Sequence, residues 1–106
     1  MTTHPIDRLF AMIESRKGAD PNVSYTAKLI GQGKLKCAKK LGEEAVETSL
    51  AAIAQDKSAL AHESADLIYH LLVLWAVCGL EPAEVYAALA AREGKSGLDE
   101  KAARKG

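Results

Sequence analysis

The sequence predicts an all-α fold of about five helices. Apolar residues recur at spacings of three and four along most of the chain, which is the period of a helix with one packed face. No stretch alternates apolar and polar residues with the period of two that a half-buried strand requires. Glycine and proline interrupt the helical pattern at 18–21, 31–33 and 79–82, where turns would join successive helices.

The first two predicted helices are short. The first starts at Thr3 or His4 and runs to about Arg16, because its apolar residues share one face: Ile6, Leu9, Phe10 and Ile13. Ser24 is a favourable N-cap for a second helix from Tyr25 to Ile30, and the glycines that follow end it.

The third predicted helix runs from about Lys34 to Gln55 and carries a charged stripe. Spacings of four, four and three place four charged residues on one face of this helix: Lys36, Lys40, Glu44 and Glu47. Small and apolar residues are the candidates for its packed side: Leu35, Ala38, Ala45 and Ala52. Gly42 either allows a close approach of a neighbour or simply interrupts the helix.

The fourth predicted helix is capped by Asp56 or Ser58 and continues to Cys78, where Gly79 stops it. From Leu67 onward it is apolar nearly all round, and such a helix is buried on every side. Because 106 residues offer little protein to surround it, we expect a homodimer packed across this helix.

A fifth helix is predicted from Ala83 to about Arg92, with Val85, Leu89 and Tyr86 towards the core. The polar tail, 92–106, is expected to be a loop within one domain that spans 1–106. Cys37 and Cys78 are interpreted as small buried residues, since no disulfide or zinc spacing is present.

Composition limits the classes of partner. Lys and Arg equal Asp and Glu at 14 each, so no net field favours nucleic acid or a membrane surface. The first residues lack the pattern of a signal peptide, and the longest apolar run is too short to cross a bilayer. The expected setting is therefore soluble and cytoplasmic.

Two acidic pairs point to chemistry. Glu44 and Glu47 project from one face of the third helix, and Glu63 and Asp66 from one face of the fourth. If the two helices are antiparallel, the pairs meet, with Glu43 beside them. Carboxylate oxygens are the ligands of hard divalent cations, and the lysines that precede them suggest phosphate chemistry.

Each of these features has a simpler interpretation. A single acidic pair is more often a solvated helix face, and Glu63 with Asp66 could simply favour the positive end of their helix. Lys39 with Glu43 and Lys40 with Glu44 are suitably spaced for ion pairs, which would not exclude phosphate contacts. His70 lies on the stripe of Asp66 and could orient a carboxylate or a water, although such a histidine is more often a partly buried structural residue.

The same residues resemble the phosphoribosyl-ATP pyrophosphatase family of histidine biosynthesis over nearly the whole chain from about Ile6. The acidic pairs are shared with the wider MazG-type all-α pyrophosphatases, so they indicate the superfamily and a MazG-like helical bundle completed by dimerisation. The more specific motifs are Ser24-Tyr25-Thr26-Ala27-Lys28-Leu29 and the tail Arg92-x-Gly94-x-Ser96-Gly97-x-x-Glu100-Lys101-x-x-Arg104. The bifunctional relatives carry a cyclohydrolase half with Cys/His motifs, which this sequence lacks.

The resemblance implies hydrolysis of phosphoribosyl-ATP to phosphoribosyl-AMP and pyrophosphate, by water attack on the α–β linkage. Mg²⁺, with Mn²⁺ as the alternative, would be held by Glu44, Glu47, Glu63 and Asp66. Glu43 is the candidate for supporting these ligands or activating the water, so that the implied catalytic residues are Glu43, Glu44 and Glu47. The implied substrate-binding residues are Lys28, Lys36, Lys40, Arg92, Ser96, Lys101 and Arg104.

Two other functions are compatible with the residues. One is a related enzyme that hydrolyses a non-standard nucleoside triphosphate, which substrate preference would distinguish. The other is a helical dimer without catalytic activity, whose acidic residues are merely solvated. Only a true carboxylate site would be stabilised by divalent cations, so melting temperature separates this alternative from an enzyme.

Overall fold

Five helices make up the computed structural model, which describes residues 4–93. The helices are α1 (Pro5–Ser15), α2 (Tyr25–Gly31), α3 (Lys34–Ile53), α4 (Lys57–Cys78) and α5 (Pro82–Ala90), and no strand occurs between residues 4 and 93. The predicted all-α class is therefore confirmed. The third and fifth helices each end two residues before the predicted boundary. Most of the predicted tail lies outside the described residues.

Capping residues mark where these helices begin and end. Ser24 Oγ accepts the N–H of Ala27 at 3.1 Å, and Asp56 Oδ1 accepts the N–H of Ala59 at 3.0 Å. Each bond satisfies a donor that the first turn of a helix otherwise leaves unpaired. Gly79 ends α4 with a φ of +72°, a left-handed conformation that glycine adopts without steric cost.

A hairpin of the two long helices forms the framework. α3 and α4 run antiparallel along each other through a short turn, α1 packs against α4, and α2 fits against both long helices. The core joins residues from four helices: Phe10, Ile13, Leu29, Cys37, Leu72, Val73 and Ala76. Because α3 and α4 are adjacent, any side chains on their facing surfaces meet in the middle of the hairpin.

The predicted packing face of α3 is wrong. All four candidates are exposed, with Leu35 exposed to 85%, together with Ala38, Ala45 and Ala52. The inward face instead contains Cys37, Leu41, Glu44, Thr48 and Ala51. A helix presents one face to its neighbour, and α3 presents the face that includes Glu44 to α4. Its other apolar residues therefore point outwards.

Two smaller expectations also differ from the structure. Leu89 was expected in the core but is 57% exposed, whereas Tyr86 of the same helix donates its hydroxyl to Asp7 Oδ1 at 2.8 Å and joins α5 to α1. Cys37 is buried as predicted, but Cys78 is exposed at the last residue of α4.

No single helix among the described residues is both long and apolar enough to cross a bilayer, and α4 and α5 reach that composition only when counted together across a 113° bend.

Candidate active site

Three carboxylates meet between the long helices. Glu44 of α3 and Glu63 and Asp66 of α4 each place one oxygen within 4.8 Å of the others. All three are partly buried rather than spread over a solvated surface. The antiparallel hairpin therefore brings members of the two acidic pairs together, as the spacing predicted.

Glu47 also belongs to this acidic cluster, because it raises the pKa values of two neighbouring carboxyl groups. The pKa values of Glu44 and Glu63 are raised, first by burial and then by the negative charge of Glu47 and a hydrogen bond with it. Two carboxyl groups can share a hydrogen bond only when one of them holds a proton. Without a cation, Glu44 and Glu63 therefore retain protons more tightly than isolated carboxyl groups do.

Two oxygens of the cluster indicate what would fill it. Glu44 Oε2 and Glu63 Oε2 are buried, and neither has a hydrogen-bond donor within the described part of the chain. Leaving a buried acceptor unsatisfied costs about 1–3 kcal/mol, and more when it is charged. A divalent cation with oxygen preference would coordinate both atoms, so the donor set fits such an ion.

Thr48 fixes the register of the two helices at this cluster. Its hydroxyl lies 2.8 Å from the carbonyl oxygen of Glu44 and 3.2 Å from that of Glu63, and so bridges the two residues' backbones. Sequence reasoning missed Thr48. Its spacing of four from Glu44 could have signalled a polar residue on the inward face of α3.

His70 borders the cluster on the side of the core. Its side chain is only 7% exposed, and Nε2 lies 3.8 Å from Glu44 Oε1. The pKa of His70 is lowered, first by burial and then by the charge of Lys40. The rings of Tyr25 and Tyr69 both meet the imidazole edge to face, with centroids 6.5 and 5.1 Å away. His70 is therefore a buried residue that packs beside Glu44.

A basic cavity lies beside the carboxylates, between α2 and the first half of α3. It has a volume of about 260 Å³. Half of the residues that line it are lysines: Tyr25, Lys28, Leu29, Gln32, Lys36, Lys39, Lys40 and Glu43. We call it the lysine cavity. It brings together the three predicted phosphate-binding lysines of the helical region, and it adds Lys39, Tyr25 and Gln32, which sequence reasoning did not assign.

The ion pairs of α3 differ from the expected ones. Lys40 Nζ lies 3.5 Å from Glu43 Oε1, and Lys39–Glu43 and Lys40–Glu44 pairs are absent from the described residues. The pKa of Lys40 is raised, first by the nearby Tyr25 phenol and then by Glu43. Glu43 therefore faces the lysine cavity and lies outside the group formed by Glu44, Glu63 and Asp66.

The remaining predicted substrate-binding residues belong to the tail. Arg92 is exposed just beyond α5 and does not line the lysine cavity. Ser96, Lys101 and Arg104 lie outside the described residues. Their predicted roles stay predictions.

Comparison with known proteins identifies a family that matches most of the chain. The family model for phosphoribosyl-ATP pyrophosphohydrolase matches residues 6–93. Both the acidic cluster and the lysine cavity fall within the matched range.

Individual relatives match over nearly their whole length. A protein of Azospirillum brasilense named phosphoribosyl-ATP pyrophosphatase is 62% identical over 94% of this chain and 90% of its own. Proteins of the same name from Paramagnetospirillum magneticum and Caulobacter vibrioides are each 59% identical, over 93% and 96% of this chain and 91% and 94% of their own.

Proposed function

Because the chain belongs to the phosphoribosyl-ATP pyrophosphohydrolase family, we propose that it hydrolyses phosphoribosyl-ATP to phosphoribosyl-AMP and pyrophosphate, the second step of L-histidine biosynthesis. The observation that carries this proposal is the position of the acidic cluster beside the lysine cavity. The substrate carries several phosphate groups, and a cation held by the carboxylates together with the lysines would offset their negative charge.

Four carboxylates are proposed to hold a divalent cation, Mg²⁺ or alternatively Mn²⁺: Glu44, Glu47, Glu63 and Asp66. The buried oxygens of Glu44 and Glu63, which have no donor in the part of the chain that the structure describes, support this assignment. When bound, such an ion offsets the negative charge of the triphosphate and lowers the pKa of a bound water. Thr48 keeps the two helices in the register that this ligand set requires.

The other residues bind the substrate and assist the water. Water attacks the α-phosphorus, the bond from that phosphorus to the bridging oxygen breaks, and pyrophosphate leaves. Lys28, Lys36 and Lys40 contact phosphates from the lysine cavity. Glu43 either helps to position the metal-binding carboxylates or accepts a proton from the attacking water. Its contact with Lys40 favours the positioning role. Arg92, Ser96, Lys101 and Arg104 are proposed to reach the substrate from the tail.

The working unit is proposed to be a cytoplasmic homodimer of one-domain chains spanning 1–106. Most apolar residues of α4 are already covered within the chain, whereas α3 exposes Val46, Leu50 and Ile53 at spacings of four and three. Because this outer stripe of α3 is exposed, we place the dimer interface on α3 rather than across α4 alone.

The proposal is tested by measuring pyrophosphate release from phosphoribosyl-ATP with Mg²⁺, with Mn²⁺ and with EDTA. We expect release that depends on the cation and a preference for phosphoribosyl-ATP over a panel of non-standard nucleoside triphosphates. Mg²⁺ should also raise the melting temperature, since a ligand that binds only the folded state stabilises it.

Other outcomes would assign a different function. A preference for a non-standard nucleotide would indicate the related nucleotide-clearing activity. The absence of both hydrolysis and cation-dependent stabilisation, in a folded protein, would indicate a helical dimer without catalytic activity.

A further inference from the structure

The lysine cavity has more positive charge than its own residues neutralise. Lys40 pairs with Glu43, but Lys28, Lys36 and Lys39 have no carboxylate oxygen within 4.0 Å among residues 4–93. Three such lysines around one concavity repel one another. An anion bound in the cavity would remove this repulsion.

The far end of the cavity is distant from the acidic cluster. Along α3, Lys36 precedes Glu44 by eight residues, which corresponds to about 12 Å of helix. On α2 the lining continues from Tyr25 to Gln32. Glu43 and Lys40 mark the near end of the cavity, next to the carboxylates. Lys36 is therefore far enough from the acidic cluster to contact a different anionic group of the substrate from the one that reacts there.

Tyr25 connects the two regions. It lines the lysine cavity, is 55% exposed, and its ring meets that of His70, which borders Glu44. Exposed aromatic rings next to basic residues stack on nucleobases. A planar base lying on Tyr25 would have the carboxylates at one end and the unpaired lysines at the other.

We propose that the lysine cavity binds the phosphate monoester of the phosphoribosyl group, the end of phosphoribosyl-ATP remote from the scissile anhydride. Lys28, Lys36 and Lys39 contact this phosphate, and Tyr25 lies against the purine. The inference rests on the proposed function and deepens it. It makes the cavity the site that distinguishes phosphoribosyl-ATP from ordinary nucleoside triphosphates, which lack this phosphate.

The test compares the two products as inhibitors of the enzyme with Mg²⁺. Phosphoribosyl-AMP retains the remote phosphate, and pyrophosphate contains only the leaving group. For Lys36→Gln and Lys39→Gln we expect about ten- to a hundred-fold weaker inhibition by phosphoribosyl-AMP, the range for losing a charge-assisted hydrogen bond. Inhibition by pyrophosphate should stay within about twofold of the wild type.

Two comparisons sharpen the test. Binding of AMP, which lacks the phosphoribosyl group, should be unaffected by the two substitutions. Lys34→Gln is the matched control, because Lys34 begins the same helix but does not line the cavity. Glutamine and lysine have similar helix propensities, so the variants should fold alike, and circular dichroism melting checks this.

Each contrary result has a definite meaning. Weaker inhibition by pyrophosphate with unchanged inhibition by phosphoribosyl-AMP would place the leaving group in the cavity and overturn the inference. An equal weakening of inhibition by both products, or no weakening by either product, would also overturn the inference. If the wild type does not hydrolyse phosphoribosyl-ATP, the proposed function fails. If it does and the variants behave as the wild type, only this inference fails.

Discussion

At the scale of single residues, the acidic cluster is held in an arrangement that is unfavourable without a counter-ion. Glu44, Glu47, Glu63 and Asp66 repel one another, and two buried oxygens lack donors among residues 4–93. Like charges about 4 Å apart repel by about 1 kcal/mol in water and by several times more near a protein surface. The residues that would bind the cation therefore reduce the stability of the metal-free protein.

Neutralising one of these acids should abolish activity while raising the stability of the metal-free protein. We expect Glu47→Gln or Asp66→Asn to abolish turnover and to raise the metal-free free energy of unfolding by about 1 kcal/mol, because one source of repulsion is removed. Steady-state kinetics and urea unfolding in EDTA measure the two effects. Glu14→Gln is the control: Glu14 is a partly exposed acid on α1 that pairs only with the exposed Lys17 within the described residues, and its substitution should change stability by less than about 0.5 kcal/mol. Near-normal turnover in either cluster variant would contradict the metal assignment.

The raised pKa values of Glu44 and Glu63 predict a pH dependence. A carboxyl group whose pKa is raised by folding binds protons more tightly in the folded state, so its contribution to stability is present below the ordinary pKa of 4.5 and lost as the pH rises through the raised value. We expect the metal-free wild type to lose stability relative to Glu63→Gln as the pH rises above about 4.5. Urea unfolding in EDTA from pH 4.5 to 8 measures the difference, and a constant difference would refute the prediction.

At the scale of elements, the α3–α4 turn sets where the acidic pairs meet. α3 ends at Ile53 and α4 begins at Lys57, so few residues reverse the chain. Gln55 adopts a φ of +60°, the left-handed conformation that favours glycine, and Asp56 caps α4. The turn is therefore short and contains one strained residue.

Relieving that strain should stabilise the protein. We expect Gln55→Gly to raise the free energy of unfolding by about 0.5–1 kcal/mol, since glycine avoids the steric cost of a positive φ. Ala54→Gly is the matched control in the same turn. Its φ is −72°, so the substitution should lower stability by a similar amount. Urea unfolding measures both, and a destabilised Gln55→Gly variant would show that the Gln55 side chain contributes more than its backbone conformation costs.

At the scale of the whole molecule, the outward apolar stripe of α3 predicts association. Val46, Leu50 and Ile53 are exposed in the single chain, at spacings of four and three along α3. Apolar residues repeated at helical spacing on a surface mark an interaction site. A second copy packed there would cover the stripe and support the hairpin that carries both acidic pairs.

A charged residue in this stripe should prevent dimerisation. We expect Leu50→Glu to shift the protein from dimer to monomer in analytical ultracentrifugation, because an unpaired charge would be buried at the interface. Ala88→Glu, on the exposed surface of α5, is the control and should leave the dimer intact. A monomeric wild type, or a dimeric Leu50→Glu variant, would contradict the role of α3 in assembly.

Much of this protein was predictable from local sequence signals. The five helices follow from the period of their apolar residues, and Ser24, Asp56 and Gly79 define boundaries because capping depends on only a few neighbouring residues. The meeting of the two acidic pairs was also predictable. Two long helices joined by a short turn favour an antiparallel hairpin, in which residues at matching distances from the turn face each other.

Tertiary packing decided the rest. The rotation of α3 about its axis depends on its contacts with α4 and α2, so its sequence did not reveal that Leu35 would point outwards and Thr48 inwards. The same packing brought Tyr25 and Lys39 to one cavity from different helices and turned Glu43 towards Lys40. The sequence by itself determined the helices and the carboxylate pairs, because their signals are local. Only the tertiary structure decided which oxygens are buried and which lysines converge, because burial and convergence depend on residues far apart in the chain.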